Sequence, residues 1–331
     1  MNLSVQEWLD VVRPEYLQSF IRDGGAAVKF LVPLEGVDRM RLKDELRAVA
    51  QDEGYAYALV DAAQTKIHMI DHVFHAVAKQ IDWNALARNF ALGILRENGW
   101  SVPAEGDTIS LSCIGELNHR EPHMIKSELS KLLEHHVWQD YRLSQEFRIA
   151  MFRLCQAQLD PALSPVPAEA IERWLRGELK RVTEVKDAPI FQKVGRHNAR
   201  HMLSSLSYWL HLSGRSGLFL VLDITRCLSL RPRPLNPDDA TRYYSVAGVK
   251  DAYEMLRQLV DETDDLEHCF VAVLASPEFL DPVNRRSVER YRALKMRIWD
   301  EVRDERYVNP LGCLIRLDGA CCEEAATEDK V

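Results

Sequence analysis

The stretch Gly217-Leu218-Phe219-Leu220-Val221-Leu222-Asp223-Ile224 is an apolar run that closes on a single carboxylate. Ser213-Gly214-Arg215-Ser216 precedes it and polar residues follow, so it reads as a strand buried on both faces of a parallel sheet. Asp223 then stands at the strand's carboxyl end. That is the edge where open α/β sheets bind ligands and where a carboxylate can serve a nucleotide-bound magnesium. A hydrolytic site of this layout commonly places a glutamate next; here the residue is Ile224.

Working outward, residues 26–32 (AAVKFLV) and 55–61 (YAYALVD) read as two further strands, with a helix over 37–53 between them, stopped by Gly54. Strand, turn, helix and strand within so short a span make a βαβ unit and imply a parallel sheet. Residues 4–21 carry Trp8, Leu9, Val12, Leu17 and Phe20 at helical spacing, interrupted by Pro14, which predicts two short helices or a kinked one. Residues 67–158 read as helical, with breaks near Asn98-Gly99 and at Pro122, and a proline-rich linker covers 160–167. Helices are expected over 168–182, 198–212, 249–260 and 287–302, and strands over 268–275 and 313–317. Prolines 232, 234 and 237 make 229–245 an irregular excursion, and 321–331 reads as an acidic disordered tail.

Composition excludes several classes. The net charge of −8 and 47% hydrophobic content describe a globular chain that does not hold nucleic acid by bulk charge. The seven cysteines are scattered without CxxC spacing, so neither a disulfide framework nor a zinc site is expected. The start of the chain lacks the layout of a signal peptide and no stretch is long enough to span a bilayer, which gives a cytoplasmic expectation. His68, His72 and His75 share a helical face near Asp71, but no distant further ligand accompanies them, so no metal site is assigned. Ser204-Ser205 lacks a nucleophile motif.

The loop after the first strand is where a phosphate cradle GxxxxGK[ST] would lie. Over residues 33–40 (PLEGVDRM), Pro33 and Asp38 fall on the glycines, Arg39 on the lysine and Met40 on the hydroxyl residue; Gly36 alone keeps its character. Proline removes an amide, aspartate brings negative charge to the place of a phosphate, and methionine cannot ligate magnesium. Arg39 keeps the charge without the compact ammonium.

Several stretches of the carboxyl half form a recognisable succession: Trp174-Leu175-Arg176-Gly177-Glu178, Asn198-Ala199-Arg200, the approach to the Asp223 strand, residues 253–261 (YEMLRQLVD) and residues 273–280 (VLASPEFL). In this succession the chain resembles the ATP-binding proteins of BREX phage-defence systems, P-loop ATPases related to the AAA+ class. Asp23-Gly24-Gly25 adds to the resemblance in the amino half. It implies a P-loop NTPase-like, AAA+-type α/β fold: a parallel sheet with helices on both faces and a helical insertion. The expected division is 1–66 and 167–318 for the core, 67–166 for the insertion and 319–331 for the tail. The nucleotide-site positions carried over are Gly36, Arg39, Asp223 and Ser276, the last at the place of a γ-phosphate sensor. Arg285, Arg286 and Arg297 are candidates for an arginine finger.

With cradle and glutamate both altered, the expectation is a catalytically degenerate member with no catalytic residue and no metal ligand. It would act as a structural or regulatory subunit of a prokaryotic anti-phage assembly, beside an active ATPase paralogue or another subunit. The expected cofactor is none, or ATP and Mg2+ held without hydrolysis; membranes are not partners and nucleic acid is met indirectly. Two alternatives stay open. One is a slow ATPase using Arg39 with Glu35 or Glu278. The other is a DNA-contacting adaptor using Arg231–Arg233 and the arginines of 285–292.

Overall fold

The structure is a computed structural model that describes residues 3–104, 109–229, 243–299 and 309–319. They fall into two compact units, one within Met1–Met69 and Phe219–Val331, the other within Ile70–Leu218. The prolines of the 229–245 excursion, Arg231–Arg233 and the acidic tail lie outside the described residues.

The first unit is built on one sheet. Its strands are β1 (Leu3–Ser4), β2 (Ala26–Pro33), β3 (Ala56–Asp61), β4 (Leu218–Asp223), β5 (Cys269–Leu274) and β6 (Leu314–Asp318), in the spatial order β1-β6-β2-β5-β4-β3. The pairing is parallel throughout, with Ala26 opposite Cys269, Phe30 opposite Leu314 and Leu3 opposite Leu317 among the registers. β4 and β5 are buried along their whole length, as their unbroken apolar runs require when helices cover both faces.

Period-two alternation sorts the side chains. Ala27 and Leu31 of β2, Phe219 and Val221 of β4, and Phe270, Ala272 and Leu274 of β5 share one cluster. Trp8, Leu9 and Val12 of helix α1 (Val5–Val12) and Leu42, Leu46 and Ala50 of helix α2 (Arg39–Asp52) belong to the same cluster. On the opposite face Phe30 stacks on Phe279 at 5.9 Å, and Phe279 meets Tyr253 at 5.7 Å. Tyr253 belongs to a long helix, Val246–Asp261, whose N-cap Ser245 accepts from the Gly248 amide. Lys29, in phase with Ala27 and Leu31, is buried and donates to the Tyr16 hydroxyl (2.8 Å) and to the carbonyls of Leu311 (2.5 Å) and Gly312 (3.1 Å), so all three of its protons are used.

Several local details depart from the sequence reading. Pro14 sits at the start of a π-helical segment, Arg13–Phe20, that continues α1 instead of ending it. The helix expected over 168–182 stops at Leu175, because Gly177 adopts φ +71° and the Glu178 amide closes back on the Arg173 carbonyl at 2.8 Å. The helix expected from 287 is divided: a 3-10 turn (Val288–Arg290) ends where Tyr291 takes the non-helical torsions φ −132° and ψ 77°, and a short helix (Arg292–Ile298) begins after it. Tyr291 leaves the helical path and its hydroxyl donates to Glu254.

The second unit is helical. Its helices are α3 (Ile70–Ala78), α4 (Trp83–Glu97), α5 (Leu111–Leu117), α6 (Pro122–Leu133), α7 (Gln145–Leu159), α8 (Ala168–Leu175) and α9 (Ala199–Leu212). Its core is aromatic: Phe90 and Trp209 lie 4.4 Å apart between ring centroids, and Phe147 meets both Trp83 and Trp209. Ser205 donates to the His201 carbonyl and accepts from the Ser144 amide, which accounts for it structurally.

Candidate functional site

The carboxyl edge of the sheet gathers the candidate residues because of the strand order. From β2 the chain crosses over β5 and β4 to reach β3, carrying α2 with it. From β5 it leaves the other way, towards β6. The onward connections of the neighbours β2 and β5 therefore diverge, and the crevice outside such a divergence is where open α/β sheets bind ligands. Cross-strand bonds continue past the strand ends: Ile224 N–H to the Leu274 carbonyl and Ala275 N–H to the Leu31 carbonyl, both 2.9 Å. Ser276 is buried one residue further on, between the ends of β2 and β4, and its carbonyl accepts from Phe279 at 2.9 Å.

The loop from β2 into α2 is closed by its own chain. Pro33 contributes no amide, the Leu34 amide donates to the Leu317 carbonyl (2.8 Å), and the Val37 amide turns back on the Leu34 carbonyl (3.3 Å). Gly36 has φ +95°, which explains why a glycine stands there: it is the left-handed residue of a tight turn. A Cβ on Gly319, just past β6, would lie 2.6 Å from the Gly36 carbonyl group, so two glycine backbones touch where the chain leaves the sheet.

Helix α2 is capped by Asp38, whose Oδ1 accepts from the amides of Met40 (2.9 Å) and Arg41 (3.4 Å). Those first-turn donors and the positive end of the helix dipole are what would cradle an anionic ligand. Here a carboxylate from the chain already holds them. Arg39 and Met40 are exposed, Met40 to 65%.

Asp223 shares its face of β4 with Phe219 and Val221, so it points to the side on which α2 runs. Its Oδ1 accepts from the Thr225 amide at 2.9 Å, and its Oδ2 lies 2.5 Å from Lys43 Nζ. The side chains of Lys43 and Asp223 are 15% and 9% exposed. Lys43 lies just beyond the first turn of α2, and helical side chains tilt towards the N-terminus, which aims this one back at the sheet's carboxyl edge. Lys43 was not among the sequence candidates. The only trace of it is its spacing, four residues beyond Arg39 and hence on the same side of the helix.

The remaining candidates are dispersed. Ile224 is buried; Glu35 and Glu278 are exposed, the latter on a 3-10 turn after β5. Arg286 cannot serve a neighbouring subunit as a finger. It is buried and donates to the carbonyls of Cys227 and Ser229, both at 2.9 Å, and to the Tyr243 hydroxyl. Arg297 pairs with Asp261, while Arg285 is exposed. Among the described residues no group of three or more His, Cys, Asp or Glu is arranged to hold a metal ion.

Mg2+ demands oxygen ligands in near-octahedral array, and the terminal phosphates need amides and a free cation. At this edge Asp38 holds the Met40 and Arg41 amides and Asp223 holds the Lys43 ammonium, so in this structure neither those amides nor that lysine is presented as a magnesium nucleotide needs.

A parallel sheet with this strand order, a loop-helix after its first long strand and an aspartate ending the strand of the opening stretch defines an α/β fold of the P-loop NTPase type. The model of the family described as BREX system ATP-binding protein BrxC/D matches residues 17–326, and the chain belongs to that family. No curated protein and no solved structure matches it significantly. Among the described residues no helix is long and apolar enough to cross a membrane.

Proposed function

We propose that this chain is a non-hydrolysing member of the BREX ATP-binding family, acting as a structural or regulatory subunit of a prokaryotic anti-phage assembly. The observation that carries the reading is the capture of the first-turn amides of α2 by Asp38. Phosphoryl transfer relies on positioned donors and cations around the γ-phosphate. At this edge the donors are engaged, the lysine is paired, and Ile224 stands where a hydrolytic glutamate would be. What the fold retains is an α/β body built on one six-stranded sheet, which would bind an active ATPase paralogue or another subunit of the system. The family's membership in a defence system supports that class of partner.

Thermal unfolding with magnesium and millimolar ATP tests the empty site: no rise in Tm is expected, and a rise of several degrees contradicts it. Size-exclusion chromatography of the purified chain mixed with the ATP-hydrolysing subunit of the same system tests the assembly role. Co-elution that survives Asp223→Asn is expected; separate elution of the two contradicts it.

A further inference from the structure

We infer that Lys43 is the resident cation of the Asp223 site: its ammonium takes the place of a divalent metal and keeps the carboxylate from binding one. The inference rests on reading the carboxyl edge as a former magnesium-nucleotide site, and it adds what now stands in the metal's place. Asp223 is buried at the end of β4, and a buried carboxylate requires a counter-charge and hydrogen bonds. One oxygen receives the Thr225 amide and the other the Lys43 ammonium at 2.5 Å. A divalent ion would have to displace that ammonium from Oδ2 or share the oxygen with it, and cations held on one buried oxygen repel each other strongly. The ammonium comes from the helix that follows the first long strand, and so is tethered to the site as a free metal is not. Its counterpart is Asp38, an anion of the chain on the amides a phosphate would use. Both charges of a magnesium phosphate are thus reproduced by side chains of α2 and its cap.

The test is a double-variant cycle read by thermal unfolding. Wild-type protein should show the same Tm in EDTA and in millimolar Mn2+. Lys43→Ala should unfold at lower temperature than wild type, because Asp223 loses its counter-charge. The Lys43→Ala/Asp223→Asn double variant, with no carboxylate to neutralise, should regain several degrees over Lys43→Ala. If Lys43→Ala does not fold, recovery of folded protein in the double variant is the same measurement. A Lys43→Ala loss that Asp223→Asn does not relieve overturns the inference, as does a wild-type stabilisation by Mn2+ that Asp223→Asn removes. Neither outcome bears on ATP turnover, so this inference and the proposed function fail separately.

Discussion

At the scale of single residues, the carboxyl edge of the sheet is ruled by two charges that belong to the chain. Asp38 satisfies amides that every helix start leaves open, and Asp38→Ala is expected to cost about 1 kcal/mol in chemical denaturation. Lys43→Ala should cost more, about 3 kcal/mol, because breaking a largely buried pair strands the surviving charge. A third residue-scale constraint lies in the helical unit. Gly177 has φ +71°, and a Cβ there would stand 2.7 Å from the His75 ring, so Gly177→Ala should destabilise by at least ~1–2 kcal/mol from backbone strain alone. Burial holds the His75 imidazole below its ordinary value of 6.5, against the opposing pull of Asp71. The unfolded chain therefore binds the proton more readily. The contribution of His75 is complete above about pH 6.5 and is lost as pH falls through its lowered folded value. A series of denaturation curves in this range checks it: stability should fall on acidification, and His75→Phe should flatten that slope.

At the scale of elements, the stretch YEMLRQLVD turns out to be a seam. Tyr253 donates to the Arg286 carbonyl, Arg257 bonds Glu254 through two nitrogens and reaches Asp261, and Asp261 also takes Arg297 from the short helix beyond Tyr291. Hydrogen bonds from Arg257, then from the Tyr291 hydroxyl, hold the Glu254 carboxyl down at about 2. The stability it contributes is complete above the ordinary value of 4.5 and is lost as pH falls towards 2, so Glu254→Gln should unfold with a shallower acid limb than wild type. The strands of this unit were legible because a strand buried on both faces shows as an unbroken apolar run, as in 218–223 and 269–274. The two-residue β1 was not, since its pairing with β6 joins opposite ends of the chain. Nor was Lys43, whose partner is fixed by the phase of α2 over β4 and not by any local spacing. The division at Tyr291 was hidden too, because its cause is a contact with Glu254 far away in sequence.

At the scale of the whole molecule, family membership and strand order define an α/β fold of an ATP-binding family, and at the sheet's carboxyl edge Asp38 holds amides of α2 while Asp223 is paired with Lys43. The expectation of altered cradle residues was readable from Pro33, Asp38 and Met40; the sequence could not show that Asp38 caps α2 or that Asp223 is already paired. The most direct test is steady-state hydrolysis of ATP in magnesium by the purified chain and by Asp223→Asn, prepared identically. The expected result is no turnover in either beyond that of buffer. Turnover by the wild-type chain that Asp223→Asn abolishes would contradict the account.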